Sequence, residues 1–212
     1  MKDVEVLGLE PRYYPAVYPE YDVPNVIAPS TALQALGLAV QYSMPVLRMA
    51  VRAGNEFLDS VQVGRTGVMA MINGYERSTG CHPKYILSGY SQGAMIMLEH
   101  ERELARRGQL AGVVYFGNPN TAPWDPATVG VAGGGAGGIL GFLPFNMKTA
   151  AGTRNRVNYC LPLDGVCDLS IQTLRASQGN GGNHGRYYIW PSRWDNQVSD
   201  TFGRFVDQVR YR

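Results

Sequence analysis

An α/β fold, with a central parallel sheet flanked by helices on both faces, is the class this sequence predicts, on three observations. Short runs rich in β-branched and aromatic residues, Tyr85-Ile86-Leu87-Ser88, Gly112-Val113-Val114-Tyr115-Phe116 and Arg156-Val157-Asn158-Tyr159-Cys160, alternate with stretches of helical periodicity, the pattern of strand-helix-strand crossovers. The second run is apolar throughout, as suits a strand buried on both faces. Between the first run and the helix-like Ala94-Met95-Ile96-Met97-Leu98 stands Gly89-Tyr90-Ser91-Gln92-Gly93, a strand-to-helix turn of the Gly-x-Ser-x-Gly kind.

Taken in order, Val4-Glu5-Val6-Leu7 alternates and is followed by Gly8 and Pro11, so it reads as a strand. Residues 11–29 are rich in proline and tyrosine and read as an extended surface loop. Residues 31–58 are apolar and helix-prone, with Pro45 splitting them into two short helices. They are either ordinary core or a lid facing a lipid substrate. Asp59 or Ser60 is placed to cap the next helix, whose Val61, Val68, Met71, Ile72 and Tyr75 fall near one face.

Cys81-His82-Pro83 leads into the strand before the elbow, and the helix after it runs to about Arg107, with Gly108 as its stop. Residues 120–152, dense in glycine, read as a flexible surface loop, and no Lys-Ser/Thr pair follows the glycines to make a phosphate loop. Arg156 to Cys160 is the last clear strand, with Asp164 four residues beyond it. Gly179 to Asn183 leads to His184, and a closing helix carries Val198, Phe202, Phe205, Val206 and Val209 along one face.

At 212 residues, with 45% hydrophobic and 17% charged, the chain is sized for a single domain, 1–212, with its own core. A net charge of +2, evenly spread, argues against a nucleic-acid partner. Glycines and Pro144 break the longest weakly polar run, so no transmembrane segment is expected. The N-terminus lacks the apolar stretch of a signal peptide. Nothing in the composition fixes an oligomeric state.

Ser91 reads as a nucleophile. Gly89 and Gly93 leave room where strand and helix backbones converge, and the turn sets the amide of Gln92 at a helix N-terminus, where an oxyanion is stabilised. A serine needs a neutral imidazole to take its proton and a carboxylate to orient that imidazole. Of three histidines, His82 lies at the wrong end of the elbow strand and His100 is nine residues into the helix, over 10 Å away at about 1.5 Å per residue. His184 alone sits in a loop free to reach the site. Asp164 is the candidate acid and Asp168 its rival. Cys160 and Cys167 are spaced to close a short loop, though three reduced cysteines fit equally well, and Cys81 is left over.

The order Ser91, Asp164, His184 is that of an α/β hydrolase. Gly89-Tyr90-Ser91-Gln92-Gly93-Ala94, Val114-Tyr115-Phe116-Gly117-Asn118-Pro119, Cys160-x-x-x-Asp164-x-x-Cys167 and His184-Gly185-Arg186-Tyr187-Tyr188 together resemble the cutinase family of serine esterases, which includes the cutinase-like phage lysin B enzymes. The Phe-Gly-Asn-Pro segment leans toward lysin B.

The resemblance implies a cutinase-like α/β hydrolase with Ser91, Asp164 and His184 as nucleophile, acid and base, and Gln92 in the oxyanion hole. It also implies a Cys160–Cys167 disulfide beside the acid, and neither metal nor cofactor. The substrate it implies is a lipid ester or cell-wall glycolipid, mycolyl esters included, met outside the cell or with a phage. Two departures are expected: the family's first strand, whose following loop gives a second oxyanion donor, is not matched, and residues 20–58 form an insertion. A carbohydrate acetyl esterase of the same fold, and a noncatalytic structural or binding module, are the alternatives.

Overall fold

The computed structural model describes residues 5–7, 59–131, 135, 137–143, 155–173 and 182–210. The chain divides into two compact units, Met1–Thr66 and Gly67–Arg212. In the first, the described residues 5–7 carry no strand, whereas the sequence reads Val4 to Leu7 as one; Val4 lies outside the described residues. The proline-rich segment and the apolar insertion lie outside the described residues.

A helix, α1, covers 59–79 across the boundary between the units. Asp59 and Ser60 are already helical, so neither is the cap read from the sequence. The expected face is there: Val61, Val68 and Ile72 are buried.

The second unit holds β1 (Tyr85–Tyr90), α2 (Gln92–Arg106), β2 (Leu110–Phe116), β3 (Thr128–Gly130), β4 (Arg156–Cys160) and α3 (Asp195–Arg210). The strands form one sheet in the order β1-β2-β4-β3, and every pairing is parallel. All strand ends therefore face the same way, with the carboxyl ends along one rim.

Alternation along β2 puts the helices on opposite faces. Val114 packs with Val157, Tyr159, Leu161 and the α3 residues Val198 and Phe205. Tyr115, one residue on, points the other way and donates its hydroxyl to Glu101 of α2 at 2.6 Å. Both faces are thus covered, which is why β2 and β4 are buried almost end to end. On α3 the predicted stripe is only half used: Val198 and Phe205 are buried, whereas Phe202 and Val209 remain partly exposed at 39% and 38%.

The glycine-rich segment is not a loose loop where it is described. It contributes β3 to the edge of the sheet, and Asn118, Thr121 and Asp125 are buried. Gly138 donates to the Thr121 carbonyl and Leu140 to that of Pro119, each at 2.8 Å. Asp125 binds Arg156 at 2.6 Å and Asn158 at 2.5 Å. Glycine here permits close backbone packing, and the buried polar groups bond one another. Among the described residues no helix is long and apolar enough to cross a membrane.

Candidate active site

Three loops leave the carboxyl rim and meet. The first is the turn at Ser91, between β1 and α2, held in the left-handed region at φ 53°. A non-glycine residue there is strained, and the Ser91 amide, donating to the Phe116 carbonyl at 2.9 Å, helps to fix it. Serine is a favoured helix cap, yet the Ser91 side chain makes no capping hydrogen bond.

Gly89 explains how the turn is possible. A Cβ there would stand 2.6 Å from the backbone of Gly93 and Ala94, closer than atoms can pack. A Cβ on Gly93 would meet nothing within 4 Å. The elbow therefore depends on Gly89, and the reading that Gly93 also supplies room is corrected.

The second loop follows β4 and carries Asp164, fully buried. Its Oδ1 accepts the amides of Val166 at 2.8 Å and Cys167 at 3.2 Å. Cys160 and Cys167 are joined by a disulfide that closes this turn, and Cys81 is free and exposed. Asp168, the rival acid, is buried rather than solvated. It accepts the Leu163 amide at 3.0 Å and the Thr173 hydroxyl at 2.7 Å, so it braces the base of the same turn.

The third loop brings His184. Its Nε2 lies 2.9 Å from Ser91 Oγ, and its Nδ1 lies 3.0 Å from each oxygen of Asp164. An ionised carboxylate can only accept, so Nδ1 carries the ring proton and Nε2 is left basic toward the serine hydroxyl. The other histidines are elsewhere: His82 is exposed and bonds Glu76 at 3.1 Å, and His100 is buried in α2. Gln92 is the first residue of α2, which puts its amide beside Ser91 at the positive end of the helix dipole. The structure thus brings Ser91, Gln92, Asp164 and His184 together.

Three further residues shape the site; each stands in a motif that carries the family resemblance, with no role assigned to it from the sequence. Tyr90 stacks on the His184 ring. Gly117, at φ 55°, lies under the triad, where a Cβ would come within 2.7 Å of His184 Cε1 and 3.1 Å of Asp164 Oδ2. Tyr187 donates its hydroxyl to Asp164 Oδ2 at 2.5 Å. Burial, with the Asp164 carboxylate beside it, holds the Tyr187 phenol far above its ordinary pKa. The signals were present as single letters: a tyrosine before the serine, a glycine ending β2, and a tyrosine three residues after the histidine.

A shallow cleft of about 340 Å³ opens beside His184, lined by Tyr90, Phe116, Gly185, Tyr187, Tyr188 and Ile189. Ile189, which lines it, and Trp190, the next residue in the chain, are exposed, and the guanidinium of Arg186 lies over the Trp190 ring at 4.3 Å.

The family model described as Cutinase matches residues 31–188. No curated protein sequence matches the chain. Among solved structures, an iodinated complex of acetyl xylan esterase is 19% identical with a TM-score of 0.50, covering 70% of this chain and 72% of its own. The catalytic core domain of acetyl xylan esterase from Trichoderma reesei is 19% identical with a TM-score of 0.47 and the same coverage, 70% and 72%. A cutinase-like protein from Cryptococcus sp. is 21% identical with a TM-score of 0.43, covering 66% and 69%. At 19% identity and a TM-score of 0.50, the likeness to the first of these is one of fold.

Proposed function

The chain belongs to the cutinase family and is a carboxylic ester hydrolase, and we propose that it cleaves esters of lipid-like acyl chains through an acyl-serine intermediate. The observation that carries this reading is the continuous hydrogen-bonded line from Ser91 Oγ through His184 to Asp164. Ser91 attacks the ester carbonyl as His184 Nε2 takes its proton, and Asp164 stabilises the imidazolium. The carbonyl oxygen becomes an oxyanion beside the Gln92 amide. His184 then returns the proton to the departing alcohol, and the same base activates water to release the acid.

The lipid-like acyl chain is favoured by what borders the triad. Aromatic and aliphatic side chains line the cleft, and Tyr188, Ile189 and the next residue in the chain, Trp190, are exposed. A site for an acetyl group on a sugar needs little apolar surface and several polar partners for hydroxyls. The Phe116-Gly117-Asn118-Pro119 segment supports the narrower reading of a lysin B-like enzyme acting on cell-wall glycolipid esters of the mycolyl type. The Cys160–Cys167 disulfide supports work in an oxidising, extracellular setting.

The test is hydrolysis of p-nitrophenyl esters from acetate to palmitate, with Ser91→Ala as the control. A kcat/KM that rises with chain length, and activity that disappears with Ser91, is the expected result. A preference for acetate returns the assignment to the acetyl esterases, and turnover that survives Ser91→Ala removes the nucleophile.

A further inference from the structure

We propose that Tyr187 is a positioning residue for the acid of the triad, setting both the orientation of the Asp164 carboxylate and how strongly it holds the His184 imidazole. The proposal rests on the triad reading above and goes one step behind it.

The phenol of Tyr187 has a single proton, and its surroundings dictate where that proton goes. The Leu161 amide donates to the Tyr187 oxygen at 3.2 Å, which occupies a lone pair. Cys167 Sγ lies 3.4 Å away, but a sulfur in a disulfide has no hydrogen to give and accepts only weakly. The remaining partner is Asp164 Oδ2 at 2.5 Å, a carboxylate acceptor whose own side chain has no solvent exposure. Charge-assisted bonds of this kind are short and about twice as strong as neutral ones.

The consequence for His184 follows from how Asp164 is shared. Its Oδ1 takes two backbone amides, its Oδ2 takes Tyr187, and both oxygens lie 3.0 Å from His184 Nδ1. Without the phenol, the imidazole is the one partner left to Oδ2 among the described residues. The carboxylate is then free to turn about its Oδ1 bonds, and its undiminished charge holds an imidazolium more tightly. Among the described residues, the groups that face the pair are Ser91 and the stacked Tyr90 ring from the end of β1, Gly117 from the end of β2, the Val166 and Cys167 amides from the turn after β4, and Tyr187 from the histidine's own loop. Asp168 is turned away toward Leu163 and Thr173.

The experiment compares the wild-type chain, Tyr187→Phe, and a chain with 3-fluorotyrosine at 187, whose more acidic phenol is a stronger donor. Each is active-site titrated with a fluorophosphonate, so that only folded, labelled enzyme is counted. Tyr187→Phe is expected to lower kcat by about tenfold or more at unchanged KM. It is also expected to move the acid limb of the kcat/KM profile up by about half a pH unit. The fluorotyrosine enzyme moves the limb the opposite way. Where the phenylalanine variant does not fold, the fluorotyrosine enzyme decides alone, because its packing is nearly that of the native chain. Acid limbs that coincide with wild type overturn the proposal, since a merely structural tyrosine alters the amount of active enzyme and not its profile. Asp164→Asn separates the two levels: its failure to impair turnover rejects the triad reading itself, whereas an inactive Asp164→Asn beside unshifted Tyr187 variants rejects only the role of Tyr187.

Discussion

Tyr90 lays its ring on that of His184, centroids 4.9 Å apart and planes 26° from parallel, and donates its hydroxyl to the His184 carbonyl at 2.9 Å. One side chain from the strand that carries the nucleophile thus holds both the ring and the backbone of the base. The two residues are 94 positions apart in sequence, so this contact ties the histidine loop to the elbow directly.

The contact predicts a graded response. Tyr90→Phe keeps the stack and loses one hydrogen bond, so kcat should fall less than about tenfold. Tyr90→Ala frees the ring and the loop together, and a misplacement of about 1 Å costs on the order of 10²-fold. Titrated turnover numbers decide it: an alanine variant as active as wild type shows that the loop is held by other means.

Gly117 and Gly93 should respond in opposite ways to alanine. At 117 the new methyl runs into His184 and Asp164 at a positive φ, with a backbone penalty of about 1–2 kcal/mol and a displaced triad. Activity should be lost well beyond what the fall in stability explains. At 93 the methyl enters open space in the first turn of α2, where alanine is better than glycine by about 0.5–1 kcal/mol. Thermal unfolding of both variants beside their turnover tests the pair. A Gly117→Ala enzyme with native activity would mean that the triad has slack.

Much of this was legible in the sequence because local chemistry and tertiary role coincide. The runs at Tyr85, Gly112 and Arg156 are β-rich, the last two are buried nearly throughout, and the elbow serine is marked by its neighbours. Asp164 and His184 were found by the chain order of a triad and by elimination among few histidines. Composition misled where one residue type serves two purposes. Glycine at 138 and 141 allows backbones to touch and was read as looseness, and Asp168 stood as a rival acid because its partners, Thr173 and the Leu163 amide, are not visible as a pattern. Strand β3 has only three residues and pairs with a strand nearly thirty residues further on, so no local signal announces it. The roles of Tyr187 and Tyr90 stayed hidden because a tyrosine's hydroxyl partner is decided by the fold.

The buried pair Asp125 and Arg156 ties the segment after β2 to β4, with Asn158 and the Ala127 amide as further donors to the same carboxylate. Asp125→Ala leaves a buried guanidinium without its counter-charge, and breaking such a pair costs about 3–5 kcal/mol. Urea unfolding should show that loss. Asn118, which bonds Asn158 at 3.2 Å, belongs to the same network and lies next to Gly117. Activity of the folded fraction should therefore fall as well. A midpoint within error of wild type would mean that the pair contributes nothing net.

Far from the triad, Glu76 accepts Gln109 Nε2 at 2.6 Å and the Tyr85 hydroxyl at 3.1 Å, and lies 3.1 Å from His82 Nδ1. The Gln109 hydrogen bond above all, with Tyr85 and His82 assisting, holds its carboxyl below its ordinary pKa. A carboxyl depressed in the folded state stabilises it above the unfolded pKa, and that contribution disappears as pH falls through the folded one. Glu76→Gln should therefore lower the unfolding midpoint at neutral pH, and the gap to wild type should close as pH falls through and below the ordinary carboxylate range. Tyr85 carries the opposite sign. Burial, and then the hydrogen bond to Glu76, push its phenol up to about 12, so its contribution is complete below the unfolded value of about 10 and is lost as pH rises toward the folded one. Tyr85→Phe should flatten the alkaline arm of the stability curve and leave the acid arm nearly unchanged. Urea midpoints measured across both windows test the two assignments separately. A Glu76→Gln gap that persists undiminished at acid pH would show that the residue acts through packing rather than through its charge.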